Sequence, residues 1–301
     1  MNARKNFSDR KKRKGEKMKK ICYCLLAGIA VNVCGIDWNG CRSAKTLEKE
    51  KRYDEAIAVY EKLSDKTDNE QDDQQYMQWA IGTALLKKDP ATAKRLAARI
   101  RNQDRRKYVM MQFQKPAEIV EACGKIDFMT WPEDIRVEAY EKRGSAFFRL
   151  KRYDDALKDY EKALTLPGEK IMSKGWAARN SGWIYEQRKD PAKAEEFYRK
   201  ALDLTSAGYA WRNESLINLS NLLIAQKRAA EACKLFEPVG RLEKMRGYWA
   251  IRLNGAYADA LIAADRKVDA LKTLDLLLRL APEKEKAKVK KRIDALSDEL
   301  L

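Results

Sequence analysis

The sequence predicts an all-α solenoid, a stack of helix–turn–helix pairs ended by a capping helix. Three observations carry that expectation. The stretch KRYDEAIAVYEKL at 51–63 is written again, with conservative changes, as KRYDDALKDYEKAL at 151–164. Ala156, Ala194, Ala232 and Ala270 fall 38 residues apart. The chain is 36% charged and 45% hydrophobic, with only 14 Gly and 7 Pro in 301 residues. That mixture favours exposed amphipathic helices over buried sheets.

Taken from the N-terminus, residues 1–17 are a basic extension with little to bury, for which no fold is predicted. Residues 1–20 hold ten Lys or Arg against Asp9 and Glu16, so much of the formal charge of +17 sits at this end. The remaining excess is dispersed, which describes a solvated surface rather than a nucleic-acid face. Residues 18–40 read as a signal peptide or lipoprotein signal. MKKICYCLLAGIAVNVCG opens at Met18 with two lysines, runs apolar from Ile21 to Val33, and ends in small residues. This is the tripartite form of an export signal, and the run falls short of the roughly 20 residues a membrane span needs. Translation starts at Met1 with a long basic leader, or at Met18. Cleavage after Ala30 or Gly35 suits a general signal peptidase. Gly40–Cys41 resembles the end of a lipobox and makes Cys41 a lipidation candidate, although Trp38 stands where an aliphatic residue is expected; Cys34 has Val33 before it.

Residues 41–102 hold the first repeats, 103–129 a degenerate one, and 130–284 the regular ones. Twelve residues before each aligned alanine stands a small residue: Gly144, Gly182, Ser220, Ala258. Four residues after it stands a bulky one: Tyr160, Tyr198, Phe236, Leu274. Ala44, Ala56 and Tyr60 obey the same rule, as do Gly82 and Ala93 one residue short. Small residues at both places let paired helices approach closely. Gly182 is therefore expected to pack near Ala194, to reject Leu and to tolerate Ala. Asp89–Pro90 and Asp190–Pro191 predict capped helix starts with proline in the first turn. Thr130 with Glu133 reads as a capping box. DRRKYVMMQFQ and PAEIVEAC predict two short helices in the degenerate stretch. In 285–301, Val289, Ile293, Leu296 and Leu300 form one stripe, a capping helix for the stack.

The repeat resembles the tetratricopeptide repeat, a 34-residue helix–turn–helix unit. RGSAFFRLKRYDDALKDYEKALTLP and SGWIYEQRKDPAKAEEFYRKALDL carry its small, aromatic and alanine places, and Pro282 its proline; the longer period of 38 departs from it. The resemblance covers roughly 40–284, about six repeats plus the degenerate one. It implies a right-handed superhelical solenoid with the first helix of each repeat lining a concave groove that binds a protein or peptide. By that alignment the partner-binding candidates are Tyr76, Trp79, Phe148, Arg149, Trp176, Arg179, Trp183, Asn221 and Arg252, with Thr83 and Glu186 beside them. Aromatics and Arg are enriched at interface hot spots. Arg179, between Trp176 and Trp183 on one helix face, is expected to meet an acidic, apolar peptide. A carboxylate clamp known in cochaperone repeats is incomplete: Arg179, Asn218 and Arg252 match, whereas Trp183 and Ala256 do not.

Catalysis finds no foothold. The chain has no histidine, which removes His-ligated metals and Ser–His–Asp triads. No CxxC pair and no Gly-rich phosphate loop occur. No metal or cofactor is expected. The leading expectation is a non-catalytic adaptor of the bacterial cell envelope, exported and either released or held at the membrane by its N-terminal lipid or signal. The alternative is a cytosolic basic helical-repeat protein binding RNA.

Overall fold

A computed structural model describes residues 36–206, 208–239, 242 and 245–300. The basic extension and the apolar signal run, with Cys22, Cys24 and Cys34, lie outside the described residues. Within them are fifteen α-helices, two 3-10 turns and no strand. No helix there is long and apolar enough to cross a membrane.

The chain divides into two compact units, with the boundary at Arg106–Lys107. Unit 1 holds α1 (Trp38–Lys49), α2 (Tyr53–Lys66), α3 (Glu70–Leu86) and α4 (Pro90–Ala98), each packed on the next. α5 (Gln103–Met110) spans the boundary. Unit 2 continues with α6 (Pro116–Cys123), a 3-10 turn at Phe128–Thr130, α7 (Glu133–Arg149) and α8 (Tyr153–Thr165). There follow α9 (Ile171–Gln187), α10 (Pro191–Asp203), α11 (Ala210–Ala225) and α12 (Ala229–Lys234). A 3-10 turn at Glu237–Val239, α13 (Tyr248–Ala263), α14 (Lys267–Leu280) and α15 (Glu283–Asp298) complete it.

The repeated KRYD line is a turn. Lys51, Lys88, Lys151, Lys189, Lys227 and Asp265 all take φ between 56° and 63°. Each stands just past a first helix in the left-handed conformation that ends many helices. The following amide closes the motif by donating to a carbonyl five residues back, Arg52 to Leu47 at 2.9 Å and Arg152 to Phe147 at 2.9 Å. Four of the turns are followed by Arg whose guanidinium grips an acid three residues on: Arg52–Glu55, Arg152–Asp155, Arg228–Glu231, Arg266–Asp269. The other two use Asp89 and Asp190, which accept from the Thr92 and Lys193 amides ahead of Pro90 and Pro191.

The small residues make room for rings. A Cβ on Gly182 would stand 2.6 Å from Tyr198, and one on Gly144 2.8 Å from Tyr160. The obstacle at Gly182 is thus Tyr198, not Ala194, and even Ala is too large. Both rings are fully buried, as are Tyr60 and Ala44. Gly82 breaks the rule: it faces solvent with nothing within 4 Å.

Three further expectations change. Thr130 caps nothing in α7; it closes the preceding 3-10 turn by donating to the Asp127 carbonyl, and α7 starts from Pro132 without a side-chain cap. The second helix paired with α11, α12, is only six residues long, because Pro238 lacks the amide needed to extend it. In α15, Val289 and Leu296 are buried and Ile293 packs beside them, but Leu300 lies beyond the helix and is exposed.

The degenerate stretch forms the predicted pair of short helices, α5 and α6. It is bound to the regular repeats by Arg143. Nε and Nη2 of Arg143 donate to Asp159 at 2.7 Å each, and Nη1 donates to the Cys123 and Ile126 carbonyls at 2.8 and 2.5 Å. The guanidinium lies 4.3 Å from the Phe128 ring centroid.

Candidate binding groove

In unit 2 the first helices of successive repeats touch one another: α7 meets α9, α9 meets α11, and α11 meets α13. Each second helix is wedged behind, between its own first helix and the next. The first helices thus form one layer and the second helices another.

A chain of polar contacts crosses that layer. Arg179 pairs with Glu214 at 2.7 Å and donates through Nη1 to Asn180 Oδ1 at 2.9 Å. Asn180 Nδ2 donates to the Tyr160 hydroxyl at 3.0 Å, which lies 3.3 Å from Ser145 Oγ. Ser145 Oγ donates to Glu141 at 2.6 Å. With its one proton given to the carboxylate, Ser145 must accept from Tyr160. From Asn180 onward, then, the donors point toward Glu141. One turn away, Glu138 meets Lys170 at 3.0 Å through Oε1, while its Oε2 is buried without a hydrogen bond.

Burial raises the Glu141 carboxyl above its ordinary range against the Ser145 hydroxyl, Lys142 and Arg149. Burial raises Glu138 likewise, against Lys170. Burial raises the Tyr108 phenol, and the charges of Glu138, Glu141 and Asp134 push it the same way. Beyond Ser145 the surface turns aromatic. Phe148, Tyr153 and Trp183 form a triangle with ring centroids 5.1–5.9 Å apart, all half-buried.

The structure thus gathers Phe148, Arg179 and Trp183 with residues the sequence did not single out: Glu138, Glu141, Ser145, Asn180 and Glu214. The Asn places were visible as a pattern, since Asn218 donates to Tyr198 as Asn180 does to Tyr160, 38 residues earlier. Trp176 packs near Trp211 and Ala201. Arg149 and Asn221 are exposed on the same layer. Arg252 is stacked over Tyr248 and Trp249. Arg179, expected to await a partner's carboxylate, already has Glu214. In unit 1, Tyr76 is buried with its hydroxyl accepting from the Asp37 amide at 2.8 Å. Trp79 packs among Trp38, Tyr60 and Tyr76. Thr83 is buried and donates to Glu48, and Glu186 accepts from Tyr198. Cys41 is buried in α1, and burial, then Asp37, push its thiol up to about 12.

Among the described residues no group of acids and cysteines could hold a metal ion. The fold and this layer define a helical-repeat scaffold. Tetratricopeptide repeat models match residues 136–207 and 42–74, so the chain carries tetratricopeptide repeats in both units. No curated protein matches it. Among solved structures it is similar to yeast Tom70, at 15% identity and TM-score 0.42, covering 91% of this chain and 67% of that one. It is also similar to the TPR2AB domain of yeast Sti1 in complex with pHSP90, at 18% identity and TM-score 0.31, covering 86% and 95%.

Proposed function

We propose that the chain is a non-catalytic adaptor that holds an extended or helical segment of a partner on the first-helix layer of unit 2. The observation that carries this is the half-buried Phe148–Tyr153–Trp183 triangle beside a half-satisfied polar chain. Large rings supply contact area at little entropy cost, and polar groups beside them set register. Trp183→Ala should weaken capture of the native partner tenfold or more, about 1.4 kcal/mol. Charge reversal at Lys193, on the outer helix α10, should leave capture within about twofold. Equal behaviour of the two variants, each checked for an intact melt, refutes the site.

We also propose export to the cell envelope, on the form of residues 18–33. Release after Gly35 fits the fold better than a lipid on Cys41. Asp37 caps α1 by accepting from the Asn39 and Gly40 amides at 2.9 and 3.0 Å, and Ile36 is buried. A cut before Cys41 discards that cap, worth about 1 kcal/mol, and requires a buried thiol to come out. Intact mass of the native protein separates the two.

A further inference from the structure

The first turn of α3 carries an acid with no cation to neutralise it. Asp72 is 3% exposed, and its carboxyl takes no hydrogen bond and no ion pair among the described residues. Burial raises that carboxyl above its ordinary range, and no nearby charge acts against it. The other acids of this turn are placed differently. Glu70 is exposed, and Asp73 accepts from the Ser64 hydroxyl of α2. The dipole of α3 favours an acid in its first turn but supplies no counter-ion. Buried carboxylates are ordinarily paired, so the missing cation needs a source.

The contacts between α1 and α3 point to where that source lies. The Tyr76 hydroxyl accepts from the Asp37 amide at 2.8 Å, the Trp79 and Trp38 ring centroids are 6.5 Å apart, and Thr83 donates to Glu48 at 2.7 Å. These partners follow one another in the same order along both helices. Asp72, Tyr76, Trp79 and Thr83 recur at helical spacing and so form one stripe of α3. Long side chains on a helix lean toward its N-terminus, which carries the Tyr76 ring over the turn that holds Asp72. One turn ahead of Tyr76, Asp72 therefore faces the chain just ahead of Asp37. Ile36 stands there, itself buried.

We propose that the cation is the α-ammonium group of Ile36, created when the leader is cut off after Gly35, and that it pairs with Asp72. The inference rests on the export reading above and adds what the cut does to the fold. Hydrolysis of the Gly35–Ile36 peptide by a signal peptidase consumes one water, leaves a carboxylate on the leader and frees an amine on Ile36. With an ordinary pKa of about 7.7–8.0, that amine takes up a proton at neutral pH. The Asp37 carboxylate is already committed to the cap of α1, accepting from the Asn39 and Gly40 amides. Asp72 is the acid left to receive the ammonium. Before the cut it is a buried charge without a partner, and it weakens unit 1; after the cut it anchors the start of α1. Only one of the candidate cuts does this. Cleavage after Ala30 sets the ammonium five residues too early, and cleavage before Cys41 removes Ile36 altogether.

The test uses the full chain with residues 32–35 replaced by a sequence that a site-specific protease cuts just before Ile36. Uncut and cut forms then come from one preparation. Asp72→Asn should raise the melting temperature of the uncut form or leave it unchanged, and should lower that of the cut form. Glu70→Gln, exposed in the same turn, should change neither. Acylation of the Ile36 amine at neutral pH is read from the mass of the N-terminal peptide. In the cut form it should run about tenfold slower than in Asp72→Asn, the effect of a one-unit rise in amine pKa. An equal effect of Asp72→Asn on the melts of both forms, or no effect on amine reactivity, overturns the pair. Intact mass of the native protein separates the pair from the export reading. A native chain that starts at Ile36 but fails these comparisons keeps the cut and loses the pair. A native chain that starts elsewhere loses the cut after Gly35 and the pair with it.

Discussion

Gly175→Ala is expected to destabilise unit 2 by about 2–3 kcal/mol. A Cβ there would press against the indole of Trp211, at Cε2, Cδ2 and Cζ2. Trp211 is fully buried between α9, α10 and α11, so its ring has nowhere to retreat. Alanine's better helix propensity, about 1 kcal/mol, offsets only part of the overpacking. Gly182→Ala and Gly144→Ala meet Tyr198 and Tyr160 in the same way and should be milder. Gly82→Ala, with open space around it, should be neutral or stabilising by up to about 1 kcal/mol. Thermal melts check the series. Equal shifts at Gly82 and Gly175 would remove the argument that ring insertion dictates these glycines.

Arg143→Met is expected to cost about 3–5 kcal/mol at neutral pH. It strands Asp159, which is 4% exposed, and frees the Cys123 and Ile126 carbonyls. The pair is no simple asset: burial keeps the Asp159 carboxyl above its ordinary value even against Arg143. Without Arg143 it should rise further. A folded state with a raised carboxyl pKa holds more protons than the unfolded chain, so its stability falls as pH rises. The deficit of Arg143→Met should therefore shrink on acidification toward the ordinary aspartate value of 3.8. The double variant Arg143→Met, Asp159→Leu should be less destabilised than the single one. Urea melts at neutral and acidic pH decide both points. A pH-independent deficit would mean that lost packing, not the stranded charge, sets it.

The stack was legible because packing imposes it on sequence: wherever a ring enters, a small residue must face it, and the spacing recurs. The turns were legible as a motif but not as chemistry. The left-handed residue that closes them is Lys in five and Asp265 in the sixth, never Gly, which hides the usual mark of a helix end. Gly175 escaped because its ring arrives from the next repeat, Trp211, outside the two aligned places. The Thr130 box was a false match of spacing. Asp127 draws that threonine into an earlier turn, where its hydroxyl donates to a carbonyl instead of capping.

The groove was half legible. Repeat alignment found Phe148, Arg179 and Trp183 because their places follow from the helix period. It missed Glu138, Glu141 and Ser145, which look like any solvated helix face until neighbouring helices bury them. It also misjudged what Arg179 would do, because Glu214 lies on the next first helix and only stacking brings the two together.

The most direct measurement is hydroxyl-radical footprinting of the full chain, free and bound to its native partner. Phe148, Trp176 and Trp183 report the first-helix layer, and Phe197, half-buried on α10, reports the outer one. The account predicts that partner binding protects Phe148 and Trp183 most, with Trp176 following and Phe197 unchanged. Protection of Phe197 with Phe148 and Trp183 still reactive would contradict it.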